Sequence, residues 1–276
     1  MSFNSVNTNR QAVFALQSLN QTNSELSGVQ KRVSTGFRVA DARDDGGAFA
    51  VAQKVRSDVA GVTAVGEQLG GVKGVLQTTF AALSTVSDTM KQVRATLTRL
   101  ADGSINGEQR DQYNTQYTLL TQQISDFIDD ATYNGRTLLS LAGPAGGDIT
   151  GIRNEGGGTF TVTAVDGATL KLATVPPADA AAAQAMILAG GTFATTDAAI
   201  STALNEFGSS MQYVDNQITY NSKKIDAMND GLGALVDADL AKESSKLQAL
   251  QTRQQLGIQT LGIANQGPQV LLSLFR

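Results

Sequence analysis

The fold is decided by residues 55–100, VRSDVAGVTAVGEQLGGVKGVLQTTFAALSTVSDTMKQVRATLTRL. Every seventh residue from Val55 to Leu97 is apolar, and so are five of the seven residues that lie three positions further on. The two exceptions, Asp58 and Thr79, are each followed by an apolar residue. An apolar 3-4 spacing held over six heptads predicts a long helix whose seam packs against other helices. At 1.5 Å per residue this helix would measure about 65–70 Å, so we expect an elongated molecule.

Both ends of the chain carry thinner apolar stripes. In residues 1–33, Ala12, Leu19, Leu26 and Val33 recur at intervals of seven, with Leu16 as a further apolar position. Beyond Ile258, apolar residues occur on more than one face of the last predicted helix. Thin stripes are marginal in water alone, and a helix that is apolar on several sides must bury them against other molecules. The residues predicted to drive assembly are Phe3, Val6, Val13, Leu16, Leu19, Leu26, Leu247, Leu250, Ile258, Leu261, Leu271, Leu272 and Phe275.

The middle of the chain adds two more helices and a β element. Helices are predicted over residues 104–131 and 197–235, the second starting at Thr196 or Asp197, with Asn221 as a register-fixing polar seam residue and a stutter near Val236. The period changes to two near residue 160, and Asp166-Gly167 predicts a hairpin turn into a second strand. The predicted fold is mainly α: an elongated antiparallel coiled-coil helical bundle with a small β-hairpin insert. We expect paired terminal helices (1–40 and 235–276) and a helical rod domain (41–234) whose hairpin section covers about 141–195.

Composition excludes several classes of function. The chain has no His and no Cys, so it can build no His-ligated zinc site, no Cys nucleophile, no Ser-His-Asp triad and no disulfide. We therefore expect neither an enzyme nor a bound cofactor or metal. The net charge of −4 and the scattered Lys and Arg disfavour a nucleic-acid partner. We also expect no membrane partner, because neither a cleavable signal nor an apolar run near 20 residues is visible.

Three motifs resemble those of bacterial flagellins. The connector STGFRV at 34–39, followed by Asp44-Asp45, is similar to the segment after the first flagellin helix. The segment YNGRTLL at 133–139 resembles an internal flagellin motif, and ANQGPQVLLSLFR at 264–276 resembles the flagellin C-terminus. Within the connector, Gly36 is a candidate helix C-cap, Arg38 belongs to the motif, and Asp44 or Asp45 can cap the following helix. Residues 141–195 lie outside the resemblance, where flagellins vary.

The resemblance implies a protomer of the flagellar filament that polymerises with copies of itself, or together with sister flagellins, into a tube used for motility. It implies a secreted protein, localised to the extracellular flagellar filament. Its partners would be the flagellar type III export machinery and chaperone, the filament cap and the hook–filament junction proteins. The terminal helices would form the inner tube and the rest of the chain the outer wall. The alternatives are a hook–filament junction protein or another type III-secreted coiled-coil protein.

Two further expectations follow from the resemblance. Flagellins are often O-glycosylated, and the hydroxyl side chains near the predicted hairpin and before the last long helix are candidate acceptors: Thr159, Thr161, Thr195, Thr196 and Ser201. Many flagellins are bound by a host Toll-like receptor through an Arg- and Leu-bearing stretch of the long helix. The matching run keeps Arg94 but has Gln92 and Thr96 in place of Arg and Leu, so we expect weak or no recognition.

Overall fold

The computed structural model describes residues 9–141 and 145–273, the last seven of these by their helical backbone. The described chain is mainly helical. Its helices are α1 (Arg10–Thr35), α2 (Gly46–Leu100), α3 (Gly107–Asp129), α4 (Ala180–Ile187), α5 (Thr192–Val236) and α6 (Leu240–Ser273). Two short strands, β1 (Ile149–Ile152) and β2 (Thr159–Val162), form a two-stranded antiparallel sheet. The predicted fold class is confirmed for these helices and strands.

The chain divides into two compact units. One comprises Met1–Ser57 and Ala227–Arg276, and the other comprises Asp58–Asp226. In the second unit, α2 is antiparallel to both α3 and α5. α3 follows α2 after a short turn, where Arg99 lies over the ring of Tyr113. Along α5, Gly208 lies near Phe80 and Asp215 pairs with Lys73 at 2.6 Å, so the two helices run in opposite directions. Apolar residues of all three helices join in one buried core.

The predicted seam of α2 supplies this core. From Val62 to Leu100 every seam position is buried, which confirms the 3-4 pattern in the second unit. Thr79 keeps its place in the seam and is fully buried, whereas its neighbour Phe80 is only partly buried. The seam therefore runs through Thr79 rather than shifting to Phe80, and the hydroxyl of Thr79 has no hydrogen-bond partner.

The hairpin has a different partner strand from the predicted one. β2 pairs with the preceding β1, with Ile149 opposite Val162, and residues 167–170 form a 3-10 helix instead of a strand. A type I′ turn needs positive φ at both central residues, but neither Asp166 nor Gly167 has one. The Asp166 side chain instead accepts a hydrogen bond from the backbone N–H of Ala168 and caps the 3-10 helix. The prediction of a hairpin is confirmed, and the prediction of its second strand is wrong.

The tip of the hairpin is fixed to α5 by polar contacts. The backbone carbonyl of Arg153 accepts hydrogen bonds from Gln217 Nε2 (3.0 Å) and Asn221 Nδ2 (3.3 Å), and Lys224 forms an ion pair with Glu155. Asn221 is only 3% exposed, so these bonds satisfy a polar group that would otherwise be costly to bury. The prediction that Asn221 fixes a helix register is therefore replaced by a docking role.

Two predicted helix boundaries differ from the structure. α5 begins at Thr192, before the predicted start, because Phe193, Thr196 and Ile200 form one buried face that extends the helix. The predicted stutter near Val236 is a break, and α6 starts at Leu240. Asp239 starts the new helix by accepting hydrogen bonds from the backbone N–H groups of Ala241 and Lys242, at 3.0 and 3.1 Å.

Candidate functional site: the terminal coiled coil and its connector

The two ends of the chain pair with each other in the first unit. α1 and α6 run antiparallel, since contacts pass from the start of α1 to the far part of α6 and from the end of α1 to the start of α6. Asn9 Nδ2 donates to the carbonyl of Ala264 (2.7 Å), and Gln254 Nε2 donates to Asn23 Oδ1 (2.7 Å). Near the other end, Arg32 Nε lies 3.1 Å from Glu243 Oε2. We call this pair the terminal coiled coil.

The terminal coiled coil has a seam in which residues of α1 at 3-4 spacing meet residues of α6. The positions at this spacing, each buried or half-buried, are Ala12, Ala15, Leu19, Thr22, Leu26, Val29 and Val33 on α1, and Leu247, Leu250, Gln254, Gly257, Leu261 and Ala264 on α6. Its apolar core consists of Leu26, Val29 and Leu250, packed with Val33 and Leu247. The sequence correctly predicted one row of the α1 seam, the row through Ala12. The second row of the same helix runs through Ala15, Thr22 and Val29. The polar residues Asn23 and Gln30 lie outside the seam.

Six exposed apolar side chains lie within about two helical turns of the terminal coiled coil. Because Leu19 lies against Gly257, Val13 and Ile263, each six residues from that contact, lie at about the same level of the pair. The described residues of α1 and α6 carry seven large apolar side chains that are exposed, and all but Leu240 lie in this stretch. We call them the apolar belt: Val13, Phe14, Leu16, Leu256, Ile258 and Ile263. Exposed apolar patches of this kind mark surfaces that bind other proteins.

The predicted assembly residues divide between these two surfaces. Five lie in the seam, where they contact the other helix of the same chain: Leu19, Leu26, Leu247, Leu250 and Leu261. Three lie in the apolar belt: Val13, Leu16 and Ile258. Phe3, Val6 and Phe275 lie outside the described residues, and Leu271 and Leu272 lie in α6 beyond the described side chains. Sequence reasoning missed Phe14, Leu256 and Ile263, whose apolar character was visible but which fit no 3-4 stripe.

The connector joins the α1–α2 turn to the α5–α6 break. Gly36 ends α1 with a φ of 76°, a conformation that favours glycine, which confirms the predicted C-cap. The backbone N–H and the Nη2 of Arg38 donate to the carbonyls of Val236 (2.7 Å) and Leu235 (2.6 Å), and Ala238 N donates to Gly36 O (2.9 Å). The connector therefore holds both breaks in the helices against each other within the first unit.

The two adjacent carboxylates of the connector have different partners. Asp45 caps α2, since its Oδ1 accepts hydrogen bonds from the backbone N–H groups of Gly47 and Ala48, both at 3.0 Å. Asp44 instead folds the connector itself, accepting hydrogen bonds from Lys31 Nζ (2.9 Å) and from the backbone N–H of Ala40 (3.0 Å). Both residues thus have structural contacts at the start of α2.

Lys31 lies between two carboxylates of the connector. Its Nζ is 2.9 Å from Oδ2 of both Asp41 and Asp44, and Arg43 also binds Asp41 at 3.1 Å. Hydrogen bonds from Arg43 and then Lys31 hold the pKa of Asp41 far below its usual range. The hydrogen bond from Lys31 and two backbone N–H groups lower the pKa of Asp44. The ionised carboxylates are therefore the forms that fit this fold.

The candidate glycosylation residues differ in accessibility. Thr159, Thr161, Thr195 and Ser201 are exposed, whereas Thr196 is buried under the start of α5. Thr161 shares a hydrogen bond with Thr150 across the sheet, and the hydroxyl of Thr195 donates to backbone carbonyls of its own helix. A transferase could reach the exposed hydroxyls, but not that of Thr196 in this fold.

The two terminal helices cover each other on one face and leave an apolar belt exposed elsewhere. This arrangement is typical of one class of protein, the self-assembling helical subunit. Comparison with known proteins narrows this class. Residues 6–142 match the family model for the bacterial flagellin N-terminal helical region, and residues 194–275 match that for the C-terminal helical region. The chain belongs to the bacterial flagellin family.

Relatives of known sequence match the chain from end to end. It is 38% identical to flagellin FljK of Caulobacter vibrioides, with all of both chains covered, and 33% identical to a flagellin of Brucella melitensis, with 99% of both covered. A crystal structure of Bacillus cereus flagellin is 18% identical and has a TM-score of 0.36, covering 66% of this chain and 94% of that one. The full-length matches to the Caulobacter and Brucella relatives make the chain a short flagellin of minimal type.

The family membership identifies the chain as a structural protein, the protomer of the bacterial flagellar filament, and not an enzyme. It gives no support to the alternative of a hook–filament junction protein. The protomer polymerises with copies of itself. No helix within residues 9–141 and 145–273 combines the length and apolar character needed to cross a bilayer.

Proposed function

We propose that the terminal coiled coil forms the inner wall of the filament and that the apolar belt is its contact with neighbouring subunits. In this proposal residues 1–40 and 235–276 form the inner tube, and residues 41–234 form the outer wall. The observation that carries it is the belt: six large apolar side chains within about two helical turns remain exposed after α1 and α6 have covered each other. The described residues of one chain leave them uncovered, whereas a polymer would bury them.

The position of the belt favours a helical polymer over a closed dimer. Belt residues lie on more than one side of the pair, since Leu256 and Ile263 occupy a different face of α6 from Ile258. A surface that binds a different surface on the next copy gives an open helical array. Burial of one large apolar side chain stabilises by about 1.5–3 kcal/mol, so the belt supplies a substantial driving force in every subunit. Phe3, Val6, Leu271, Leu272 and Phe275 remain proposed assembly residues on the basis of the sequence.

The proposal also covers the route and partners of the chain. We assign it to the extracellular filament, reached through the flagellar type III export channel with a chaperone, added beneath the filament cap and joined to the hook through junction proteins. The family membership supports this, and the absence of Cys means that no disulfide can close the chain before it crosses a narrow channel. The several flagellins of Caulobacter vibrioides support mixing with sister flagellins. The exposed residues Thr159, Thr161, Thr195 and Ser201 remain our proposed O-glycosylation sites.

The belt can be tested separately from the seam. Ile258 is 57% exposed in the single chain, so Ile258→Asp should leave the α1–α6 pairing intact while placing a charge in the contact between subunits. We expect the variant to lose filaments in negative-stain electron microscopy and in sedimentation. Leu240→Asp is the matched control, because Leu240 is 49% exposed on the same helix and lies outside the belt. Normal filaments from Ile258→Asp would refute the belt as the contact.

A further inference from the structure

The seam of the terminal coiled coil is poorly suited to fix its own register by apolar packing. Large apolar residues are concentrated near the connector, where Leu26, Val29 and Leu250 form the buried core. Toward the chain ends the seam has more small residues: Ala12 and Ala15 face a stretch of α6 in which Leu261 is the large apolar residue between Gly257 and Ala264. Seams of small side chains tolerate sliding, because a shift by one heptad exchanges one small contact for another.

One contact in this weak part of the seam depends on shape. The side chain of Leu19 lies directly over Gly257, and a Cβ added at Gly257 would stand 3.2 Å from Leu19 Cδ1 and 3.9 Å from Leu19 Cβ. A leucine at 257 would therefore occupy the space that Leu19 fills. Glycine in a helix interior costs about 1 kcal/mol relative to alanine, so its presence here calls for a packing reason. The reason is the knob of Leu19.

Polar contacts on both sides of Leu19 agree with the same register. Toward the chain ends, Asn9 donates to the Ala264 carbonyl, and toward the connector, Gln254 donates to Asn23. A slide by one heptad, roughly 10 Å, would break both contacts. It would also place Leu19 opposite a residue with a side chain, either Leu250 or Ala264. Each alternative register thus loses hydrogen bonds and gains steric overlap.

We propose that Leu19 and Gly257 form a knob and notch that set the register of the terminal coiled coil, and thereby align the α1 and α6 parts of the apolar belt. The alignment follows from the geometry: Val13 and Ile263 share a level in the register in which Leu19 lies on Gly257. A slipped pair would separate the two halves of the belt by about one heptad and present no continuous surface. This inference rests on the proposed role of the belt in assembly.

The first test moves the knob from one helix to the other. Gly257→Leu fills the notch, and we expect its critical concentration for polymerisation to rise at least tenfold. The double variant L19G/G257L keeps the composition unchanged and reverses the knob and the notch, so most of the assembly should return. Gly231→Leu is the matched control, because Gly231 lies in α5 with no atom near its missing side chain. Wild-type assembly by Gly257→Leu, or a double variant as defective as the single one, would overturn the proposal.

The second test reads the register directly. The chain has no native Cys, and the side chains of Asn23 and Gln254 meet at 2.7 Å beside an intact Leu19 and Gly257. A short bifunctional thiol reagent should therefore join N23C/Q254C within one chain in filaments, whereas it should not join the heptad-shifted pair Q30C/Q254C. Equal cross-linking of both pairs would refute a fixed register. Adding Ile258→Asp distinguishes the proposals: if that variant assembles normally the belt fails as the contact, while the cross-link still reports the register.

Discussion

Truncation of Leu250 tests how strongly the terminal seam supports the polymer. Leu250 is 4% exposed and packs with Leu26 and Val29 in the core of the terminal coiled coil. Replacing a buried Leu by Ala costs about 2–5 kcal/mol. If the free subunit leaves its terminal helices unpaired and pairs them only as it joins the filament, that loss appears in every addition step. Since 1.4 kcal/mol is a factor of ten, the critical concentration of Leu250→Ala should rise about 30-fold to several thousand-fold.

The assay is sedimentation of seeded polymerisation reactions over a range of subunit concentrations. Leu119→Ala removes the same atoms from a side chain that is 66% exposed on α3, and it serves as the matched control. We expect its critical concentration to stay within about threefold of wild type. An unchanged critical concentration for Leu250→Ala, with the protein folded by circular dichroism, would refute the view that this seam is required for assembly.

Three further predictions concern the connector and the second unit. The hydrogen-bond partners of Asp44 lower its pKa, so the ionised carboxylate stabilises the fold above the ordinary pKa near 3.8, and this stabilisation is lost as pH falls through the lowered pKa. Asp44→Asn should therefore weaken the acid dependence of unfolding measured by circular dichroism. Burial raises the pKa of Tyr117 to about 12, so the contribution of its neutral side chain to the free energy of unfolding is complete below pH 10 and declines between pH 10 and about 12. Tyr117→Phe should remove this loss of stability at alkaline pH, and an equal loss in the variant would contradict the prediction. Asn221→Ala leaves the Arg153 carbonyl without one donor, so the free energy of local opening measured by hydrogen exchange at residues 153–158 should fall by about 1–3 kcal/mol. Replacement of the exposed Asn205 by Ala is the control.

The long helices could be predicted because their signal is local and repeated. Each heptad of α2 gives the same indication, so single exceptions such as Thr79 do not change the result. The C-cap at Gly36 was predictable for a different reason, since few residues other than glycine adopt its positive φ. In both cases the residue type and its immediate neighbours contain the necessary information.

The remaining features depend on partners that the local sequence does not specify. The stripe through Ala12 and Leu19 can be completed by either of two neighbouring rows, and Leu16 made the wrong row look apolar. Only the opposing Gly257 decides between them. The turn at Asp166 was ambiguous in the same way, because an Asp can begin a hairpin turn or cap a 3-10 helix. Contacts with the rest of the chain determine which form occurs.

The sequence predicted which helices form the assembly surface, but not which of their residues pair within the chain and which stay exposed. Sequence patterns indicated apolar terminal helices that need partners, and they did not separate residues covered within the chain from those left exposed. That separation requires the register of α1 against α6. Leu261 and Ile258 illustrate the point, since the first lies in the seam and the second in the belt although they are three residues apart.

A helical reconstruction by electron cryomicroscopy of filaments grown from this chain tests the central claim most directly. The account predicts that Leu19 lies over Gly257 in every subunit, and that Val13, Leu16 and Ile258 are buried against α1 or α6 of neighbouring copies in the inner wall. Filaments in which the belt residues face solvent, or in which the terminal helices pair in another register, would contradict it.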